Sequence, residues 1–117
     1  MPGVRQVALT VSDVDRSVPW YERVLGFTSS AEEQGPGLRK VLLVGFGITL
    51  ILVQHLDATR SPFDGSRPGL QQLTFAVDEL RGWAARLTEF GVPFTADTEE
   101  IAVTDPDGIP LALRPAA

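Results

Sequence analysis

The chain has 117 residues, a formal charge of −5 and no cysteine. That length suits one domain that buries a core without staples, and the lack of thiols excludes disulfides, thiolate catalysis and zinc–thiolate sites. The 10 Lys and Arg residues are scattered and form no basic stripe, so no nucleic-acid partner is expected; no apolar run approaches the roughly 18 residues of a membrane span, and Met1 to Arg5 leads into a strand pattern with no signal-like segment, so the expected location is cytoplasmic.

Residues 5–11 alternate, with Val7, Leu9 and Val11 on one face and Gln6, Ala8 and Thr10 on the other, as in a strand with one face on a core. Ser12-Asp13-Val14-Asp15 matches a capping box. Val14, Val18, Tyr21 and Leu25 then follow at helical spacing. Pro19 is compatible with this helix only near its first turn, and Gly26 supplies a left-handed stop. Phe27 to Ser30 predicts a short strand and Ala31 to Gly37 a polar loop. Leu38 to Val44 and Ile48 to Gln54 predict two strands joined by a tight turn at Gly45-Phe46-Gly47. Residues 56–69, rich in Pro, Gly and polar side chains, read as a linker.

The same pattern then returns. Residues 71–77 predict a strand and 78–90 a helix, with Leu80, Trp83, Ala84, Leu87 and Phe90 on one face. Val92 to Ala96 and Glu100 to Thr104 predict short strands. Asp105-Pro106-Asp107-Gly108 is a turn signal, and Ile109 to Arg114 predicts the last strand. The recurrence is visible in the residues: Gln6-Val7-Ala8-Leu9-Thr10-Val11 matches Gln72-Leu73-Thr74-Phe75-Ala76-Val77. Likewise Phe46-Gly47-Ile48-Thr49-Leu50-Ile51-Leu52 matches Asp107-Gly108-Ile109-Pro110-Leu111-Ala112-Leu113. Two copies are too few for a solenoid. The expected organisation is one domain, 1–117, of two modules, about 4–55 and 70–115, joined by the 56–69 linker.

In each first strand the face away from the helix is too polar for an ordinary core and too small for a solvent face. It carries Gln6, Ala8 and Thr10 in one module and Gln72, Thr74 and Ala76 in the other. Alternation adds Thr49, Ile51, Val53 and His55 to one such face, and Ala112 and Arg114 to the other. A mostly apolar surface with a few polar anchors is the usual make-up of a small-molecule site.

Val7-Ala8-Leu9-Thr10-Val11-Ser12-Asp13 running into Trp20-Tyr21-Glu22-Arg23-Val24-Leu25-Gly26-Phe27, with Leu73 to Asp78 and Asp105 to Gly108 in the second module, resembles the vicinal oxygen chelate superfamily. That group includes glyoxalases, bleomycin-type resistance proteins and extradiol dioxygenases. The resemblance implies an α+β fold of two tandem βαβββ modules forming a cup-shaped mixed eight-stranded sheet with helices outside, and a homodimer. It also implies metal ligands at four places, which here hold Gln6, Ile51, Gln72 and Ala112. Ile51 and Ala112 bind no metal, and two neutral amides are weak ligands on their own. No metal or other cofactor is therefore expected.

Gln6 and Gln72 are candidates to donate to and accept from a polar ligand, or to bond each other or water. Ile51, Ala112, Thr10, Thr74 and Phe46 are candidate ligand contacts, with Phe63 and Phe94 as further loop aromatics. His55, the one histidine, has a pKa range suited to acid–base work, or is a surface residue. Arg114 could clamp an anionic group, or be a solvated cation. Arg39 sits in a strand of ambiguous phase, and Glu99 and Glu100 read as solvated. Tyr21 and Trp83 read as core. The leading function is metal-independent binding of a small organic molecule, of resistance or sequestration type. A metal-free cyclase or isomerase using Gln6 and Gln72 to polarise substrate, helped by His55 or Arg114, is the second. A glyoxalase- or dioxygenase-type enzyme with unusual ligands is the third.

Overall fold

The computed structural model describes residues 2–56 and 63–116; part of the expected linker, residues 57–62, lies outside them. The chain divides into two compact units, Met1–Ser61 and Pro62–Ala117. The first contains β1 (Gln6–Thr10), α1 (Val14–Leu25), β2 (Thr28–Gly35), β3 (Leu38–Gly45) and β4 (Ile48–His55). The second contains β5 (Leu73–Val77), α2 (Arg81–Glu89), β6 (Thr95–Ala96), β7 (Ile101–Thr104) and β8 (Pro110–Pro115). The fold is α+β, a βαβββ module in tandem. Each module makes a four-stranded sheet, ordered β1-β4-β3-β2 and β5-β8-β7-β6. In both, the first and last strands run parallel and the remaining pairs antiparallel.

Helix α1 forms where the spacing predicts it, but Asp13 rather than Ser12 is the N-cap: its side chain accepts from the Asp15 N–H. A second orphan donor, the Val14 N–H, reaches the Gln54 side-chain oxygen on β4 at 2.9 Å. At the other end Gly26 takes φ 81°, and its N–H bonds the Glu22 carbonyl. Two well-satisfied ends hold a helix that contains Pro19 in its second turn, later than the sequence pattern allows for. The helix buries Val14, Tyr21, Val24 and Leu25 and packs on its own sheet, where Leu43, Leu50 and Leu52 are fully buried. Each such leucine stabilises the fold by about 1.5–3 kcal/mol.

An aromatic row closes the same layer. Tyr21 lies edge-on to Trp20 at 5.0 Å between ring centres, Phe27 follows at 6.0 Å, and Phe46 at 5.4 Å. Phe46 and Gly47 form a two-residue hairpin loop with φ of 52° and 75°. Positive φ at both positions suits the twist of the flanking strands. A Cβ on Gly45 would stand 2.7 Å from the Phe27 ring, so the row needs glycine there.

One expectation fails in this unit. Residues 31–35 form no loop; they continue β2 to Gly35. Every residue of β2 is exposed, because the strand lies at the sheet edge and pairs on one side only. Its polarity is that of an edge strand.

In the second unit the core is Phe75, Val77, Leu87, Ile101, Val103, Leu111 and Leu113. Helix α2 starts at Arg81, later than predicted, and its N-cap Leu80 makes no side-chain cap bond. Glu79 instead accepts from the Gly82 N–H at 3.0 Å. Of α2 only Leu87 is fully buried. Trp83, expected in the core, is half-buried, with the Arg86 guanidinium 5.7 Å from its ring centre. Trp83 lies one turn before Leu87 on the same side of the helix, near its start, where burial is only partial.

Candidate functional site

Strand register settles which side chains share a face. Ala8 stands beside Ile51 and Thr10 beside Val53; Ile51 in turn pairs with Leu42 on β3. In the second unit Thr74 stands beside Ala112 and Ala76 beside Arg114, with Ala102 next to Ala112. These are the faces opposite the helices, as alternation predicts. Gln6 opens this face of the first unit and is exposed. Gln72 precedes β5 and donates from its amide nitrogen to the Thr74 hydroxyl at 3.0 Å. Ile51 is half-buried and Ala112 fully buried.

A divalent ion needs three or more imidazole, carboxylate or thiolate donors, or an oxygen cage. Ile51 and Ala112, at two of the four places where the resemblance implies ligands, bring carbon alone. Among the described residues no group of three His, Cys, Asp or Glu side chains could hold a metal ion. Gln6 and Gln72 with Ile51 and Ala112 therefore fall short of the donors that a divalent ion needs.

The charged candidates separate. His55 ends β4, exposed and opposite Leu38. Arg114 lies on the Ala112 face, but its guanidinium is paired with Glu99 at 3.6 Å and Glu100 at 3.4 Å. The two glutamates read as solvated are its partners, in exposed pairs worth about 0–1 kcal/mol each. Arg39 resolves to the helix side: it pairs in register with Gln54, and its guanidinium meets Asp15 at 3.1 Å and Glu32 at 2.7 Å. Hydrogen bonds to Asp15 and then to Glu32 hold it more firmly protonated than usual. Phe46, through its contact with Phe27, belongs to the helix-side layer, away from the face of Gln6 and Ile51. The buried Asp105 organises the turn before β8, its carboxylate accepting from the Asp107 and Ile109 N–H groups at 2.9 and 2.8 Å.

A groove of ≈ 330 Å³ lies within the second unit, lined by Gln72, Pro93, Phe94, Thr95, Ala102, Val103, Thr104, Pro110 and Leu111. Its origin is local. Strand β6 is only two residues long and meets β7 at Thr95–Ala102 and Ala96–Ile101, so the stretch from Val103 to Thr104 has no strand on that side. Pro93 lacks an N–H group and does not extend the β6 ladder, whereas Pro110 opens β8 on the other side of β7, paired with Thr104. Sequence reasoning reached Gln72 and Phe94. It missed Pro93, Thr95, Thr104 and Pro110, although the alternation of Glu100 to Thr104 already put Ala102 and Thr104 on one face.

Residues 3–113 match the model of the Glyoxalase/Bleomycin resistance protein/Dioxygenase superfamily. No curated protein is similar enough in sequence to match. Among solved structures, a glyoxylase/bleomycin resistance protein/dioxygenase domain from Frankia sp. EAN1pec is 30% identical, with a TM-score of 0.91 over 100% of this chain and 99% of that one. TnmS3, an antibiotic binding protein from Streptomyces sp. CB03234, is 24% identical with a TM-score of 0.75, over 100% and 98% of the two chains. The trypanothione-dependent glyoxalase I of Leishmania major is 22% identical with a TM-score of 0.81, over 98% and 87%. At these last two identities the likeness is one of fold. No described helix is long and apolar enough to cross a membrane.

Proposed function

We propose that the chain, which belongs to the Glyoxalase/Bleomycin resistance protein/Dioxygenase superfamily, binds a small, neutral, flat organic molecule without a metal and without turning it over. The observation that carries this is the lining of the second unit's groove, which contains no ionisable side chain. General acid–base chemistry needs a titratable group within hydrogen-bond reach of the reacting atom. An ionic ligand would lose its hydration there with no counter-charge. What the lining offers is two rigid prolines, the Phe94 ring, the Thr95 and Thr104 hydroxyls and the Gln72 amide. Those suit a planar apolar body with one or two polar edges. The volume falls at the small end of known ligand pockets, which span about 300–1,000 Å³. The fold alone does not choose, since it occurs in an antibiotic binding protein and in a glyoxalase, and folds host many chemistries.

A metal-free cyclase or isomerase would need a reactive group at the groove. His55 is exposed at a strand end, and Arg114 is shared by two carboxylates. The binding function is tested with a panel of neutral planar aromatic compounds, scored by thermal shift with and without EDTA. Binding to the native state alone raises apparent stability by about 2.7 kcal/mol at a hundredfold excess over Kd. A hit is expected to be chelator-insensitive, to be recovered unchanged after long incubation, and to be lost in Phe94→Ala. A hit that EDTA abolishes, or that is consumed, overturns it.

A further inference from the structure

We infer that the first unit carries a separate ligand site, a groove between α1 and the edge of its sheet, suited to a hydrophobic organic amine. The groove measures ≈ 410 Å³ and shares no lining residue with the one in the second unit. It exists because β2 is an edge strand, exposed along its whole length, and α1 leaves part of its helix-side face uncovered. Val14, Val18, Pro19 and Val41 give it an apolar floor.

The rim is rich in acceptors and poor in donors. Asp15 and Glu32 both line it, and their side chains are 74% and 45% exposed. Arg39 is the one cation in the lining, and its guanidinium already serves both carboxylates. One guanidinium between two carboxylates leaves a net negative charge. The two serine hydroxyls already give their protons elsewhere, Ser29 to Glu22 at 3.0 Å and Ser30 to the Leu42 carbonyl at 3.3 Å. Pro19 has no N–H, so the Asp15 carbonyl lacks its helical donor. An ammonium group supplies the missing donors and charge, and its apolar body covers the floor. An anion would face two carboxylates, and a neutral apolar molecule would leave the acceptors to water.

The test compares 2-phenylethylamine with 3-phenylpropionate, a similar body of opposite charge, by ¹H–¹⁵N spectra of the intact protein at neutral pH. The amine is expected to shift the amides of Asp15, Val18, Ala31, Glu32 and Arg39, and the acid to leave them in place. Glu32→Gln should weaken the amine by about fivefold, the scale of one exposed ion pair. Pro19→Ala, which restores the N–H and favours the helix, should weaken it by a smaller factor without endangering folding. The site is overturned if the amine fails to bind at tens of millimolar, if both probes bind alike, if the shifts map to Gln72 and Phe94, or if Glu32→Gln leaves the affinity unchanged.

Discussion

The two units follow one plan with different completeness. In the first, the edge strand β2 runs eight residues and pairs with β3 along nearly its whole length, and α1 is capped at both ends and buries Val14, Ser17, Tyr21, Val24 and Leu25. In the second, the corresponding edge strand is two residues long, and α2 has no side-chain N-cap and one buried residue. The difference falls where the groove opens: Pro93 and Phe94 stand where an edge strand would continue, and the surface beside Val103 and Thr104 is left open. The same βαβββ plan thus tolerates a shortened edge strand and a lightly anchored helix in one copy, and the groove beside β7 follows from that shortening.

The largest effects should come from the cores. Leu50→Ala in β4 and Leu87→Ala in α2 each empty a fully buried site, where such truncation costs about 2–5 kcal/mol. Leu50 packs under a well-anchored helix and should fall high in that range. Leu87 is carried by a short helix that can settle into the gap, and should fall low. Urea unfolding of both variants measures the contrast; equal losses, or the reverse order, would break it.

Two glycines sharpen the same comparison. A Cβ at Gly45 would lie 2.7 Å from the buried Phe27 ring, and one at Gly82 would lie 2.8 Å from the Glu79 carboxylate. The distances are alike, but the neighbours differ. Phe27 is held between Tyr21 and Phe46, so Gly45→Ala should destabilise by about 1–3 kcal/mol through overpacking. Glu79 is the end of an exposed, flexible side chain, and alanine is the better helix former, so Gly82→Ala should change stability by less than about 0.5 kcal/mol. Thermal melts of the two variants decide, and a large loss at Gly82 would mean that Glu79 caps α2 more firmly than an exposed contact should.

The helix starts give the next step down. Asp13→Ala removes the α1 N-cap bond and should cost about 1 kcal/mol. Glu79→Ala removes the weaker substitute at α2 and should cost less. If the order is reversed in denaturant titrations, the second unit's helix start is the better built one.

What the sequence makes legible follows from which signals are local. The ten elements and their order are readable because apolar alternation and the Gln6–Val11 and Gln72–Val77 repeat are written in neighbouring residues. The faces of Ile51 and Ala112 are readable for the same reason, since a strand has period two. The length of β2 is not, because an exposed edge strand has no buried face to impose alternation. Arg39 and Lys40 are both polar, so the phase of β3 is fixed only by partners distant in sequence, Asp15 and Glu32. Arg114 meets Glu99 and Glu100 across a turn, which no spacing rule announces. The groove depends on what is missing beside β7, and only Pro93 hints at that.

The smallest expected effect concerns the entry to the second unit. The Asp64 carboxylate accepts from the Ser66 hydroxyl at 2.6 Å and from the Ser66 N–H at 2.9 Å. The hydroxyl first, then the backbone donor, hold its pKa below the ordinary value of 3.8. A carboxylate favoured in the folded state contributes stability that is fully present above the unfolded pKa and is lost as pH falls through the lower, folded one. The contribution is small because the group is exposed. The native protein should therefore lose slightly more stability than Ser66→Ala between pH 5 and about pH 2, and an NMR titration should show the Asp64 carboxyl moving up toward its ordinary range in the variant. If Asp64 titrates identically in both, the hydroxyl does not hold the turn, and the start of the second unit is looser still than the contrast between the two modules requires.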